Sequence, residues 1–362
     1  MVLSGSSDRL ALWYIPVPEI GGVARHTLDA VRAGIPGWRL VVLCPEGPLA
    51  EELRALGAAV LTGPVSPADG ARTAIAEVRR VLSRLRPDVL HTHLAFADIA
   101  GAAAVAGLRS AAGRRIRVVS TEHGIAGEAG FYQRSALAAR GKALVHRARL
   151  HRTDRVIAVS ESTAREIARQ WGSGAPVTVI RNGVDVPDET PAPRPGLRVL
   201  SLSRLSFEKG IDHLLRAFAL VRVEHPEARL MVAGDGSERE ALVRLAGELG
   251  LGESVTFPGH VDARAALAEH GVVVQLSGWE NLSYTLLDAV AHGLGVVATD
   301  VGGNAEIVPA RCLVDREDHA AVARAIVAQG TDLDARPQPG SSAESLGEMT
   351  AAIMTVYAEV AG

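Results

Sequence analysis

Of the 38 lysine and arginine residues, only Lys142 and Lys209 are lysines. Arginine supplies positive charge everywhere else, so a lysine here marks a position where a compact ammonium is wanted. Lys209 lies in Ser203-Arg204-Leu205-Ser206-Phe207-Glu208-Lys209-Gly210, directly after the apolar run Val199–Leu202. A strand ending at Arg204 and a helix opening after Lys209-Gly210 bring two cations and a helix N-terminus together, which is the outline of a diphosphate site. Fixed cations in a sheltered cleft stabilise the charge that grows on a departing diphosphate more than they stabilise the ground state.

A second chemical segment is Gly278-Trp279-Glu280-Asn281-Leu282-Ser283, with Asp288 further along. Ser283 and Asn281 are good helix N-cap types. The N–H groups of Asn281, Leu282 and Ser283 are placed to meet phosphate or sugar oxygens, and Glu280 to accept from sugar hydroxyls. Asp288 follows Glu280 at Glu-x7-Asp spacing, between Leu287 and Ala289. Aspartate is a poor residue for a helix interior, and on an apolar helix it needs a partner, which a ribose diol would be.

Four other loops are candidates. Gly21 and Gly22, in the loop after Leu10–Ile15, allow main-chain N–H groups to approach a phosphate. The two glycines are adjacent, so the G-x-G-x-x-G dinucleotide fingerprint is absent. Gly234 lies in Gly234-Asp235-Gly236-Ser237, Val261 closes Phe257-Pro258-Gly259-His260-Val261, and Gly302-Gly303-Asn304-Ala305-Glu306 is a third glycine-rich turn. Each alone reads as an ordinary turn; the convergence of the last three on one edge of the second sheet favours a binding role. Among 12 histidines, His123 in Thr121-Glu122-His123-Gly124 stands out because it follows a strand at the carboxyl edge, where ligands bind in open α/β sheets. His91 and His93 end another strand and are its expected neighbours.

The elements that must position these residues are short, unalternating apolar runs separated by helical patterns. Strands are expected at Leu10–Ile15, Leu40–Leu43, Val89–His91, Ile116–Ser120, Val156–Val159, Val199–Leu202, Leu230–Ala233, Val255–Phe257, Val272–Leu276 and Val296–Ala298. Such runs fit strands of a parallel sheet buried on both faces. Helices are expected at Ala24–Ala33, Ala71–Leu85, Ile211–Arg222, Glu238–Leu249 and Tyr284–His292. The alternation occurs twice, which predicts two doubly wound α/β domains. Residues 1–187 form the first and 196–343 the second, joined by a Pro-rich linker over 188–195 that is stiff and extended. Leu346, Met349, Ile353, Val356, Tyr357 and Val360 mark one apolar face of a last helix, within 344–362, expected to cross back to the first domain.

Composition narrows the function. A net charge of −3 gives no nucleic-acid signal, and Cys44 and Cys312 read as unpaired thiols in a reducing compartment. No secretory leader is legible, and the most membrane-like run, Ala97–Leu108, is short and contains Asp98. The segment from Glu128 to Arg155 carries seven cations, including Lys142, Arg147, Arg149, Arg152 and Arg155. A core helix with a solvated basic side is favoured there over a membrane-binding face, so membrane contact is peripheral at most. The sole Asp-x-Asp, Asp332-Leu333-Asp334, lies in a Pro/Gly-rich break, and no essential metal is expected. The implied location is the cytoplasm, with the inner face of the membrane as the variant.

The assembled motifs resemble the retaining glycosyltransferases of family four. They are Gly21-Gly22-Val23, Thr121-Glu122-His123-Gly124, Arg181-Asn182-Gly183-Val184-Asp185, Ser203-Arg204 through Lys209-Gly210, Ala233-Gly234-Asp235-Gly236, Glu280 with Asp288, and Gly302-Gly303 with Glu306. The resemblance implies a GT-B architecture, two Rossmann-like domains facing across a cleft. It implies that Arg204 and Lys209 bind the donor diphosphate with help from Gly22, that Glu280 and the Asn281–Ser283 amides hold the donor sugar, and that His123 faces the transferred sugar and acceptor. It implies a nucleotide-sugar donor, a hydroxyl acceptor (lipid-linked sugar, polysaccharide or small natural product), no cofactor, and a front-face reaction in which the leaving phosphate takes the acceptor proton. One position departs from the family: the ribose-binding carboxylate, usually Glu, is Asp288. Two competing readings are a non-catalytic nucleotide-sugar-binding protein, which only Asp288 favours, and a dinucleotide-dependent oxidoreductase, which the missing fingerprint disfavours.

Overall fold

A computed structural model describes residues 9–124, 147–172, 174–186, 195–338 and 344–362. The chain forms two compact units: Met1–Gly183 with Leu346–Gly362, and Val184–Ser345. Each is built on a parallel sheet flanked by helices, so the doubly wound α/β reading holds for both. Most of the expected Pro-rich linker, residues 188–194, lies outside the described residues.

The first sheet holds β1 (Arg9–Tyr14), β2 (Trp38–Cys44), β3 (Ala59–Thr62), β4 (Val89–His93), β5 (Arg117–Glu122), β6 (Arg155–Ala158) and β7 (Val177–Val179) in the order β3-β2-β1-β4-β5-β6-β7. Every pairing is parallel. Along β1 the side chains alternate between two cores. Ala11, Trp13 and Ile15 face one that includes helix Gly22–Ala33 and the last helix, Leu346–Ala361. Leu12 and Tyr14 face one that includes helices Ala71–Leu85 and Ala95–Ala104. Met349, Ile353, Val356, Tyr357 and Val360 of the last helix are buried in the first of these cores, as the apolar stripe predicts. Burying side chains this size stabilises by about 1.5–3 kcal/mol each, which explains why the chain returns to its first unit.

The second sheet holds β8 (Arg198–Leu202), β9 (Arg229–Ala233), β10 (Val255–Gly259), β11 (Val272–Gln275), β12 (Gly295–Thr299) and β13 (Leu313–Val314) in the order β10-β9-β8-β11-β12-β13, again parallel. In both sheets the order reverses beside the first strand, at β1/β4 and at β8/β11. A crevice opens at the carboxyl ends of such a pair because successive connections leave to opposite faces.

The run Ala97–Leu108 is resolved as a helix, Ala95–Ala104, inside the first unit. Its Asp98 accepts from Thr92 Oγ1 (2.5 Å) and Ser120 Oγ (2.8 Å) and pairs with Arg149. Arg149 also donates to Glu122 Oε2 at 2.7 Å and stacks over Trp171, 4.8 Å from the ring centroid. Of the basic side expected from Glu128 to Arg155, Arg149 departs by being buried, whereas Arg147 and Arg152 are exposed and Arg155 is half-buried; Arg155 donates to Glu359 and Arg152 to the Ala102 carbonyl. Arg134, Arg140 and Lys142 lie outside the described residues. No described helix is long and apolar enough to cross a membrane.

Candidate functional site

In the second unit the proposed binding residues lie beyond the carboxyl ends of parallel strands. Arg204 and Lys209 follow β8, Gly234 follows β9, Val261 follows β10, and Glu280 to Ser283 follow β11. Parallel strands put all these ends at one edge.

The loop after β8 is shaped by its neighbours. Ser203 N donates to Ala233 O, Leu205 N to Asp235 O, and Glu238 N to Leu205 O. The backbone of Gly234, at φ +125°, presses on Ser203, and a Cβ there would stand 1.9 Å from the Ser203 carbonyl oxygen. Glycine is therefore required at 234 to let this loop close on the β8 loop and hold Arg204 at the edge. The Arg204 side chain is exposed and makes no hydrogen bond or ion pair with a described residue, while its main-chain carbonyl accepts from Ser206 N.

Lys209 ends a 3₁₀ turn, Phe207–Lys209, ahead of helix Ile211–Glu224. Its Nζ pairs with a carboxylate oxygen of Glu280. The same carboxylate accepts from Ser277 Oγ at 2.8 Å. Gly278 N donates to Glu208 O at 2.7 Å, lacing the β8 and β11 loops together. Lys209 and Glu280 side chains are 17% and 15% exposed, so water and a ligand can still reach the pair. Behind it, Thr299 Oγ1 donates to Ser277 O at 2.6 Å and Gly303 N to Asn281 O at 2.5 Å. Gly302, at φ +57°, abuts the Glu280 carbonyl, where a Cβ would stand 1.9 Å away.

Ser283 caps helix Tyr284–Ala291; its Oγ accepts from Leu286 N and donates to Gln275 Oε1 at 2.6 Å. Ser283 and Leu282 are buried, whereas Asn281 is half-buried. Asp288 lies half-buried inside the helix, and its carbonyl accepts from the His292 backbone N–H and lies 2.8 Å from Nδ1 of the same residue. Val261 is half-buried, directly before Asp262, which caps the next helix.

The edge of the first sheet has a different chemistry. Gly21 caps helix Gly22–Ala33, and a Cβ at Gly21 or Gly22 would meet nothing within 4 Å. The chain's own packing does not require glycine there, which leaves the space above the loop open to something outside the chain. Beside it stand Trp13, His26, His91, His93, His123 and Tyr357. Tyr357 Oη accepts from Trp13 Nε1 at 2.7 Å and lies 2.6 Å from His91 Nδ1. His91 Nε2 lies 2.7 Å from Thr121 Oγ1, and His93 Nδ1 lies 2.8 Å from His123 Nε2. Burial drives every one of these imidazoles toward the neutral form. His26 falls to about 4 through burial, opposed by a hydrogen bond shared with Asn182. His91, His93 and His123 fall well below the ordinary value, through burial first and neighbouring histidines second.

His123 thus joins a cluster rather than standing alone. His26 was not singled out from the sequence; its only signal is a position one turn beyond the Gly21-Gly22 loop. Asp332 and Asp334 lie near an exposed break, where Asp332 receives the Asp334 N–H.

Two family profiles match the chain, "Glycosyltransferase Family 4" over residues 20–187 and "Glycosyl transferases group 1" over residues 196–332. The chain belongs to the GT-B glycosyltransferases of family four. Among curated relatives of the chain, glycogen synthase of Mycobacterium tuberculosis is 33% identical over 164 residues, which are 43% of this chain and 40% of the relative. One component of the human phosphatidylinositol N-acetylglucosaminyltransferase is 28% identical over 244 residues, 66% of this chain and 48% of that protein. The chain's matches therefore span less than about half of these relatives' length. A crystal structure of Anabaena HepE in complex with UDP-glucose superposes with a TM-score of 0.76 at 19% identity, covering 97% of this chain and 95% of the other. The GT-B fold is common to both.

Proposed function

We propose that this family-four glycosyltransferase moves a hexose-type sugar from a nucleoside-diphosphate sugar to an acceptor hydroxyl with retention of anomeric configuration. The observation that carries the reading is the Lys209–Glu280 pair at the β8/β11 switch point. It sets a cation suited to a leaving diphosphate against a carboxylate suited to sugar hydroxyls, inside one hydrogen-bonded loop assembly. Before the donor arrives, each charge neutralises the other. When the donor binds, the diphosphate takes over Lys209 and the sugar hydroxyls take over Glu280, and Arg204 at the same edge adds a second cation. Catalysis then rests on charges fixed in advance where charge develops.

The division into two units supports a division of roles. Donor binding falls to the second unit, through Gly234, Val261, Glu280, the Asn281–Ser283 main chain and Asp288, which we assign to the ribose. Acceptor recognition falls to the first unit, whose edge carries His123; residues 188–195 link the two. His93, beside His123, is a positioning residue in this scheme. The HepE complex with UDP-glucose supports a UDP-hexose as the first donor to try. The relation to a phosphatidylinositol-directed relative supports trying lipid-linked acceptors first. The diphosphate is stabilised by side chains, so transfer is expected to persist in EDTA.

The test is a thermal-shift screen of the protein against UDP-, GDP-, ADP- and TDP-sugars, followed by donor-hydrolysis assays. One nucleotide class should raise the melting temperature and be turned over, with turnover lost in Lys209→Ala. Binding without turnover would make the chain a non-catalytic nucleotide-sugar-binding protein, and no binding would sink the reading.

A further inference from the structure

We propose that His26, His93 and His123 form a site for one late first-row divalent metal ion of the Zn²⁺ class at the carboxyl edge of the first sheet. The proposal concerns binding alone and stands whether or not the chain transfers sugar. One ring nitrogen from each histidine lies within 4.8 Å of the other two. His93 Nδ1 and His123 Nε2 are already 2.8 Å apart, with their rings stacked at 5.1 Å. The His26 ring lies 4.9 Å from that of His123 and 5.6 Å from that of His93. Zn–N bonds of about 2.0–2.1 Å in a tetrahedron set ligand nitrogens about 3.3 Å apart, so the His93–His123 pair must open slightly and the wider separations close by small side-chain rotations.

The surroundings restrict those rings as a supporting shell does. Trp13 stacks on His26 at 5.7 Å and lies 4.5 Å from His93. His91, tied to Tyr357 and Thr121, packs on His93 at 4.4 Å. His93 is fully buried. A neutral imidazole has one nitrogen lone pair to offer an ion. An all-imidazole donor set selects Zn²⁺, Cu²⁺, Ni²⁺ or Co²⁺ over Mg²⁺ and Ca²⁺, which want oxygen. Three ligands leave a fourth position open. His123 is the half-buried member and gives the ion its way in.

The experiment uses the full chain without a polyhistidine tag, stripped with chelator and titrated with Co²⁺ while visible absorption is followed. A saturable band at about one ion per chain, displaced by Zn²⁺, is expected. His93→Gln and His123→Ala should each weaken Co²⁺ binding at least about tenfold. Lys209→Ala, altered in the other unit, should bind Co²⁺ like the parent chain. His123 is only half-buried, so its variant keeps the fold, which circular dichroism verifies. Absence of a saturable band overturns the proposal, and so does a band that survives both histidine substitutions.

Discussion

The two units repeat one topology and put opposite chemistry at the same edge. At the first edge the groups are neutral and buried: Trp13, His26, His91, His93 and Tyr357, with His123 half-buried. At the second they are charged and reachable: Arg204 exposed, Lys209 and Glu280 partly so. Charge is not missing from the first unit. It is sunk below the edge, where Arg149 bridges Asp98 and Glu122. Charge in the first unit therefore holds structure, and in the second it is available for chemistry. A fold that fixes only the location of an edge leaves the side chains free to specialise.

The sharpest way to break this contrast is to remove one cation from each unit. Arg149→Ala leaves two carboxylates in a buried site without their counter-charge. Breaking a buried pair from one side costs about 3–5 kcal/mol, so a large fall in melting temperature is expected. If the variant melts like the parent, the triad is not structural. Lys209→Ala should do the reverse. It should keep the melting temperature within a few degrees and lower kcat by about 10²–10³, the effect of losing one preorganised donor worth about 2.7–4 kcal/mol. Normal turnover in the folded variant would end the diphosphate role.

Acid sharpens the comparison. Burial lowers His26 to about 4, against about 6.5 in an unfolded chain. Between those values the unfolded chain takes up a proton that the native first unit refuses. The stabilisation is whole above about pH 6.5 and is lost as pH falls to about 4, roughly 3 kcal/mol for this group alone. Measured in chelator, stability should fall over that window, and His26→Gln should flatten the slope. An unchanged slope in the variant would show that His26 does not carry it.

Much of the fold was legible because strands buried on both faces write themselves as apolar runs. The ten expected strands all appear, and the last helix packs where its stripe predicts. The strands missed, β3, β7 and β13, are short and partly exposed, so burial leaves a weak trace in their residues. Helix Ala95–Ala104 was obscured because its one charge, Asp98, meets a partner far along the chain, Arg149. Lys209 and Glu280 were singled out separately; that they pair is a property of the β8/β11 adjacency, which no local pattern contains. His26 was missed for the same reason: its neighbours come from β4 and the end of β5.

The smallest expected effect tests whether the charged edge contains two distinct functions. If Asp288 holds the ribose and Glu280 the sugar, their substitutions must separate. Asp288→Ala should weaken binding of the free nucleoside diphosphate by about 1.5–3 kcal/mol, the value of a hydrogen bond to a charged group. Glu280→Gln should leave the free nucleotide's affinity nearly unchanged while lowering transfer, since its proposed partner is the hexose. Calorimetry with the free nucleotide and kinetics with the full donor read the two effects independently. Asp288→Glu then examines the shorter side chain itself. Asp288 sits within helix Tyr284–Ala291, so an added methylene carries its carboxylate outward from a fixed backbone. Equal or tighter nucleotide binding by Asp288→Glu would mean that the site has room for the longer acid and that the aspartate reaches the ribose through water. Weaker binding would mean that the site is fitted to aspartate. If Asp288→Ala binds the nucleotide as the parent does, the residue belongs to the helix alone, and the charged edge reduces to Arg204, Lys209 and Glu280.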